Sequence, residues 1–286
     1  MKSLTIISGK GGTGKTSIVG SFASLAENFV LADADVDAAD LHLIIPPTIN
    51  KTFDFMGGHK AIIDPERCTQ CGECLDRCQY DAIDNEFNID IIACEGCGVC
   101  VHFCPSSAID FPQRKCGQWF ISDTAYGPMV HAKLGIAEEN SGLLVSTVRK
   151  EAEKLAETQN RNLIIIDGPP GIGCPVIAAV TGASAVLIIT EPTLSGMHDL
   201  KRVAELANFL KIPGMVCVNK YDLNPDMSEQ ILALANEFKL KNVGQIPYDA
   251  SVTQAMVEGT SPVNYSKGPA SQAIEEVWKK VSHFLS

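Results

Sequence analysis

The stretch Leu4-Thr5-Ile6-Ile7-Ser8-Gly9-Lys10-Gly11-Gly12-Thr13-Gly14-Lys15-Thr16-Ser17 decides the fold. Its first five residues have the pattern of a short buried strand, the middle is a glycine-rich turn, and Lys15 to Glu27 reads as a helix. A second strand, Phe29-Val30-Leu31-Ala32-Asp33, follows at once. Two strands joined by a helix within about 30 residues form a βαβ unit, hence a parallel sheet. Gly9 to Thr16 satisfies G-x-x-x-x-G-K-[ST] between strand and helix. The chemistry requires these residue types. Gly9, Gly11, Gly12 and Gly14 let successive N–H groups, with those of Lys10, Thr13 and Ser17, turn toward phosphate oxygens. The helix that follows brings its positive end to the same point. Lys15 is then placed for the β- and γ-phosphates, and the Thr16 hydroxyl for Mg²⁺.

A competing match exists. Gly9, Gly11 and Gly14 also spell G-x-G-x-x-G, with Asp33 where a dinucleotide fold places its ribose-binding acid. Lys15-Thr16 has no role in that reading and is required in the triphosphate one. A second carboxylate points the same way: Leu163-Ile164-Ile165-Ile166-Asp167-Gly168 is an apolar strand ending in Asp. Past residue 151 the alternation resumes, with strands expected over 162–167, 185–190, 215–219 and 243–246 and helices between them.

Residues 64–112 break this rhythm, and eight of the eleven cysteines lie there. Cys68-x₂-Cys71-x₂-Cys74-x₃-Cys78 is followed by Cys94-x₂-Cys97-x₂-Cys100-x₃-Cys104-Pro105, each residue of the first run 26 before its counterpart in the second. Gly72 matches Gly98, and Ala82-Ile83-Asp84 matches Ala108-Ile109-Asp110, so the segment is an internal duplication. Each run has the bacterial ferredoxin spacing for a [4Fe–4S] cubane, whose fourth ligand comes from the other run. One cluster is expected on Cys68, Cys71, Cys74 and Cys104, the other on Cys94, Cys97, Cys100 and Cys78. Zinc sites usually draw separated pairs rather than four cysteines within eleven residues. Gln79 stands where the second run has Pro105. The segment has too few apolar residues for a core of its own, so it reads as a metal-dependent insert.

With Lys10 at the second loop position, the motif resembles the deviant phosphate loop of the MinD/ParA superfamily. That group includes the nitrogenase iron protein and the Mrp-type cluster carriers. The resemblance implies an α/β fold, a mostly parallel sheet with helices on both faces, over 1–60 and 113–286. Residues 61–112 would be an inserted two-cluster ferredoxin-like α+β mini-domain. It implies a slow ATPase working as a homodimer, or a heterodimer with a paralogue, in which Lys10 crosses the nucleotide face to the partner's nucleotide. Asp35, in Asp33-Ala34-Asp35-Val36-Asp37, would orient the attacking water, and Lys10 and Lys15 would be catalytic beside it. Asp33 and Asp167 would join Thr16 around Mg²⁺. Asn219 and the loop Pro247-Tyr248-Asp249 would contact the base. Asn219-Lys220-Tyr221-Asp222 also fits the N-K-x-D pattern of guanine readers, which leaves ATP and GTP both open. Cys174 lies seven residues past Asp167, where the nitrogenase iron protein holds an interface cluster, yet no second cysteine accompanies it.

The functional expectation is a nucleotide switch coupled to electron transfer; the alternative is an ATP-dependent scaffold or positioning protein with sensory or structural clusters. The partner, redox or assembly, is not named by the sequence. The chain of 286 residues has a formal charge of −11, which argues against broad duplex nucleic-acid binding. No stretch reads as a signal peptide or membrane span, so the expected location is the cytoplasm, where many cysteines point to metal rather than disulfides. Ala270 to Ser286 carries a helical apolar stripe, Ala270, Ile274, Val277, Val281 and Leu285. Its opposite face mixes Glu275 and Glu276 with Lys279 and Lys280, so docking on the sheet is expected rather than lipid binding.

Overall fold

The computed structural model describes residues 1–135 and 141–286. The strands are β1 (Lys2–Ser8), β2 (Phe29–Asp33), β3 (Thr48–His59), β4 (Ile62–Ile63), β5 (Ile109–Asp110), β6 (Gln113–Asp123), β7 (Pro128–Leu134), β8 (Leu163–Pro170), β9 (Ala185–Thr190), β10 (Gly214–Asn219) and β11 (Lys241–Ile246). The helices are α1 (Lys15–Leu25), α2 (Leu41–Ile44), α3 (Glu73–Arg77), α4 (Val99–Phe103), α5 (Ser141–Thr158), α6 (Cys174–Val180), α7 (Leu194–Phe209), α8 (Pro225–Glu237), α9 (Ala250–Val257), α10 (Pro262–Tyr265) and α11 (Pro269–Leu285). Nine strands form one sheet in the order β11-β10-β9-β1-β8-β2-β7-β6-β3. The pairs from β11 to β7 are all parallel. β1, the strand that delivers the phosphate loop, is central.

Two compact units divide the chain. The first takes Met1–Phe53, Trp119–Lys133 and Ser141–Ser286; the second takes Asp54–Gln118 and the described residues of Leu134–Asn140. The second unit therefore starts and ends a few residues outside 61–112, because the outer parts of β3 and β6 belong to it.

In the first unit β1, β2, β8, β9 and β10 are buried along nearly their whole length, as runs of Val, Ile and Leu in a doubly covered parallel sheet must be. One core lies between the sheet and α1 and α11, built on Phe22, Phe29, Leu31 and Ile274. The stripe Ala270, Ile274, Val277, Val281 and Leu285 is buried there, and Trp278 packs on Phe22 at a ring separation of 4.9 Å. A second core, around Ile188, Leu200, Val203 and Ile231, covers the other face under α7 and α8. Among the described residues no helix is long and apolar enough to cross a membrane.

In the second unit the 26-residue duplication is visible as geometry. α3 and α4 have the same length, and each starts after a left-handed glycine, Gly72 (φ 85°) and Gly98 (φ 74°). Positive φ recurs at Gln70 and Gly96, and at Asp81 and Ser107. The two repeats also exchange backbone bonds: the Asp64 amide donates to the Ala108 carbonyl, and the Asp90 amide to the Ala82 carbonyl, both at 2.8 Å. The core is small, with Ala61, Cys74, Ala82, Ile83, Cys94 and Ile109 buried.

Candidate functional site

The loop after β1 folds as its glycines dictate. Gly12 and Gly14 have φ of 80° and 84°, and Gly14 starts α1. A Cβ at Gly14 would lie 2.4 Å from Asn219 Nδ2, so the backbone there must be glycine for two reasons. The loop walls a cavity of about 240 Å³ together with Ser8, Thr16, Ser17, Asp35, Asp40, Pro170 and Met256. The Thr13 hydroxyl is buried in the loop without a hydrogen-bond partner, a feature suited to an incoming phosphate oxygen.

Three acids converge on Lys15. Its Nζ lies 2.5 Å from Asp167 Oδ1, at the end of β8, and 3.3 Å from Asp35 Oδ2, in the loop after β2. Asp33 is buried beside them, with its Oδ1 accepting the Asp35 amide at 3.2 Å. Burial, the largest influence, pulls the Lys15 ammonium down, yet Asp167, Asp35 and Asp33 outweigh it and hold it above its ordinary value. Burial first and Asp167 second push Asp33 well above the usual carboxylate range. Asp35 is raised to about 6, mainly by burial, with the Lys15 charge pulling it back and Asp167 pushing it up. The Thr16 hydroxyl, Asp33 and Asp167 offer oxygen donors, the kind a hard divalent cation such as Mg²⁺ takes. β1, β8 and β2 are neighbours, so these acids come from adjacent strand ends at the carboxyl edge where ligands of open α/β sheets bind.

Lys10 is held within its own chain: Nζ is 3.6 Å from Glu191 Oε2 and 3.3 Å from Ser195 Oγ. Glu191 also takes Lys220 Nζ at 2.5 Å. Asn219 donates through Nδ2 to the Thr13 carbonyl at 2.8 Å, which anchors the end of β10 to the loop. Asp249 lies elsewhere in role: its carboxylate accepts the Ser251 amide at 2.9 Å and the Ala270 amide at 3.4 Å and caps α9. Those bonds keep its acid below the usual range. The Tyr248 ring is exposed, and its amide donates to Asp222 Oδ1 at 2.6 Å. Sequence reasoning missed Glu191, Asp40 and Met256. A strand-end acid beside the loop strand, as Glu191 is after β9, was the available signal; the other two carried none.

The cysteines of the second unit assemble crosswise. Cys68, Cys71, Cys74 and Cys104 line one small hollow with Ile63, Phe87 and Ile109. Cys78, Cys94, Cys97 and Cys100 line a second with Ile83, Ile89 and Phe111. All eight are free thiols. The Gln70 amide donates to Cys68 Sγ at 3.4 Å and the Ala108 amide to Cys104 Sγ at 3.2 Å. Among the described residues no group of three or more His, Cys, Asp or Glu side chains is gathered tightly enough for a single ion. Four thiols around an apolar cavity, with amides aimed at sulfur, fit a multinuclear iron–sulfur group. Of the remaining cysteines, Cys217 is core and its thiol is pushed up to about 12 by burial; Cys174 is exposed at the start of α6.

Residues 4–263 match the family model of the CobQ/CobB/MinD/ParA nucleotide binding domain. The uncharacterized protein MJ0578 of Methanocaldococcus jannaschii is 34% identical over 285 residues, covering 99% of this chain and 97% of its own. An uncharacterized ATP-binding protein of the same organism, MJ0547, is 23% identical over 295 residues, covering 97% and 86%. The cell division ATPase MinD of Pyrococcus furiosus superposes with a TM-score of 0.60 at 16% identity, covering 99% of both chains. The phosphate loop, the acids at the ends of β2 and β8, and the family match lead to one identification: the chain belongs to the CobQ/CobB/MinD/ParA nucleotide-binding family and is an ATPase.

Proposed function

We propose that the chain is a dimeric Mg-ATP-dependent switch whose nucleotide cycle is coupled to electron transfer. The observation that carries this reading is the pair of cross-assembled thiol quartets in the same polypeptide as the phosphate cradle. Cys68, Cys71, Cys74 and Cys104 would hold one [4Fe–4S] cluster, and Cys78, Cys94, Cys97 and Cys100 the other. Each cluster, when bound, supplies a one-electron carrier. The residues themselves bind, shield and tune: Ile63, Phe87 and Ile109 exclude water from one quartet, and the Gln70 and Ala108 amides stabilise negative charge on sulfur.

In the cradle, Lys15 leaves Asp167 and Asp35 for the β- and γ-phosphates. Thr16, Asp33 and Asp167 would hold Mg²⁺, which would supply positive charge against the phosphates. Asp35 would then orient the attacking water. Lys10 would leave Glu191 and reach the nucleotide of a second subunit, adding a cation where charge develops. That subunit is a second copy or a paralogue. Chain path supports coupling: Asp33 and Asp35 are followed by α2 and β3 on the way out to the cysteine residues. The return strand β7 pairs Met129–His131 with Leu31–Asp33.

A coupling of about 1–3 kcal/mol corresponds to a shift of up to roughly 130 mV in a one-electron potential. The test is oxygen-free purification with iron and sulfide counting and EPR, an ATPase assay, then redox titration with and without Mg-ATP. About eight iron per chain and a nucleotide-dependent potential are expected. Potentials and transfer rates unmoved by nucleotide defeat the coupling. The membership of MinD and ParA in the matched family favours a second reading, an ATP-dependent scaffold or positioning protein. It predicts a partner protein retained only by the ATP-bound dimer, with no electron cycling from any low-potential donor.

A further inference from the structure

We propose that Glu191 is a positioning residue for Lys10: it holds the lysine within its own subunit and sets how readily that lysine is handed to a second one. The inference rests on the reading of the chain as an ATP-dependent dimer. Glu191 follows directly on β9, the strand beside β1, so its carboxylate stands next to the phosphate loop. Only 13% of that side chain is exposed, and it faces two ammonium groups. Oε1 takes Lys220 Nζ at 2.5 Å, and Oε2 takes Lys10 Nζ at 3.6 Å.

The two lysines are held differently. Lys220 has a second anchor, the Gly12 carbonyl at 3.4 Å, and Asn219 before it donates to the Thr13 carbonyl at 2.8 Å. Lys220 is thereby fixed to the loop. Lys10 lies in a shallow cleft with Thr190, Gly196 and Asp199. Its other partner is Ser195 Oγ at 3.3 Å, a neutral acceptor in the first turn of α7. The positive end of a helix opposes an ammonium there. Among the described residues Glu191 is the one acid within ion-pair distance of Lys10, so the hold on that lysine is the hold of Glu191.

A lysine still paired with Glu191 brings little net charge to a triphosphate, because the carboxylate repels what the ammonium attracts. Handing Lys10 to the nucleotide of a second subunit therefore requires the pair to part. A carboxylate this buried would ordinarily bar that step, since leaving it without a cation is costly. Lys220 removes the bar, because it stays on Oε1 while Lys10 leaves Oε2. One acid shared by a fixed lysine and a releasable one is a latch. Its strength is that of a partly solvated ion pair, and that strength is subtracted from the affinity of one subunit for the other.

Glu191→Gln keeps an oxygen for Lys220 and removes the charge that holds Lys10. The experiment is sedimentation of the anaerobically purified full chain with Mg²⁺ and a non-hydrolysable ATP analogue. Wild type and E191Q are compared, each with Lys10 present and with Lys10→Ala. The protein concentration at half dimerisation is expected to fall about threefold in E191Q. In the Lys10→Ala background, followed at higher protein concentration, E191Q is expected to change nothing, since no ammonium is left to release. A half-point that E191Q leaves unmoved or raises overturns the proposal; a rise would mean that Glu191 supports the interface. An equal fall in both backgrounds also overturns it, because Glu191 would then act as bare negative charge at the dimer face. Binding of inorganic tripolyphosphate reports that the cradle of each variant is folded. Wild type that stays monomeric with the analogue is a different result, since it removes the dimer reading itself.

Discussion

The nucleotide cradle contains its own counter-charge, and the cysteine unit has only a small core of its own. In the cradle Lys15 stands in for the cations of a bound substrate, pairing with Asp167 and Asp35 among buried acids. Around it lie two apolar cores that cover both faces of a parallel sheet. The cysteine unit buries only a few apolar side chains, and two of the buried residues are themselves cysteines of the quartets. Below about 70–80 residues one small core rarely suffices, and metal, disulfides or partners usually help to hold the fold. We expect the first unit to hold its fold before it binds anything, and the second to depend on what its thiols bind. The largest expected effect tests that contrast. Stripping metal with a chelator should leave amides across residues 68–104 exchanging freely, while those of β1, β8 and β9 stay protected. Hydrogen exchange of the metal-loaded and stripped protein reads both units at once. Equal protection in the second unit after stripping would break the comparison.

The cradle should fail the opposite way. Lys15→Ala leaves Asp167 and Asp33 buried without their ammonium, at a cost of about 3 kcal/mol to the nucleotide-free first unit. ATP affinity should fall on the order of 100-fold or more with the iron content unchanged, read by denaturant melts, calorimetry and iron counts on one preparation. A smaller effect is expected from Gly14→Ala. It forces a positive φ on a residue with a Cβ and drives that atom into Asn219 Nδ2, so about 2 kcal/mol should be lost. Asn219 would be pushed off the Thr13 carbonyl, and nucleotide binding should weaken with it.

These strong sites were also the legible ones, and the reason is local. Phe29–Asp33 and Ala185–Thr190 are strands where the apolar runs place them, because a strand buried on both faces has to be continuously apolar. The grouping of three cysteines of one run with the fourth of the other, expected from the spacing, is the grouping that lines each of the two hollows, and the duplicated positive-φ positions show the same two-fold in the backbone. β3 was not legible. Seven of its first residues are exposed, with Phe55 and Gly57 alone buried, so no alternation marks it. β7 opens on Pro128 and carries His131 and Lys133, again without a run. The Lys10–Glu191 pair joins residues 181 positions apart, and such a contact exists only once the sheet order puts β9 beside β1. Asp249, whose position matches a base-contacting pattern, has a capping role the pattern does not announce: its carboxylate accepts two backbone amides.

The smallest expected effect concerns the edge between these legible strands and the illegible ones. His131 on β7 stands level with Asp33 of β2, stacks on Phe120, and has Nε2 2.8 Å from Ser122 Oγ. Burial, aided by the charge of His42, lowers its pKa to about 4. In the unfolded chain the same ring takes a proton near 6.5. Above that pH both states are neutral and the fold keeps its full stability. As pH falls from 6.5 toward 4 the unfolded chain gains a proton that the folded one refuses, so stability drops, by about 1–2 kcal/mol once partial solvent exposure is allowed for. Thermal melts of the first unit at pH 7 and pH 5 should show wild type losing more than His131→Gln, which retains a hydrogen-bonding partner for Ser122. Parallel losses in the two proteins would place the acid sensitivity elsewhere, with the carboxylates around Lys15 the next groups to titrate. Those acids have raised values, Asp35 about 6, so protonation on acidification favours the folded nucleotide-free state and opposes the histidine term. A wild-type curve that rises toward pH 5, and rises further in His131→Gln, is the signature of the two acting together.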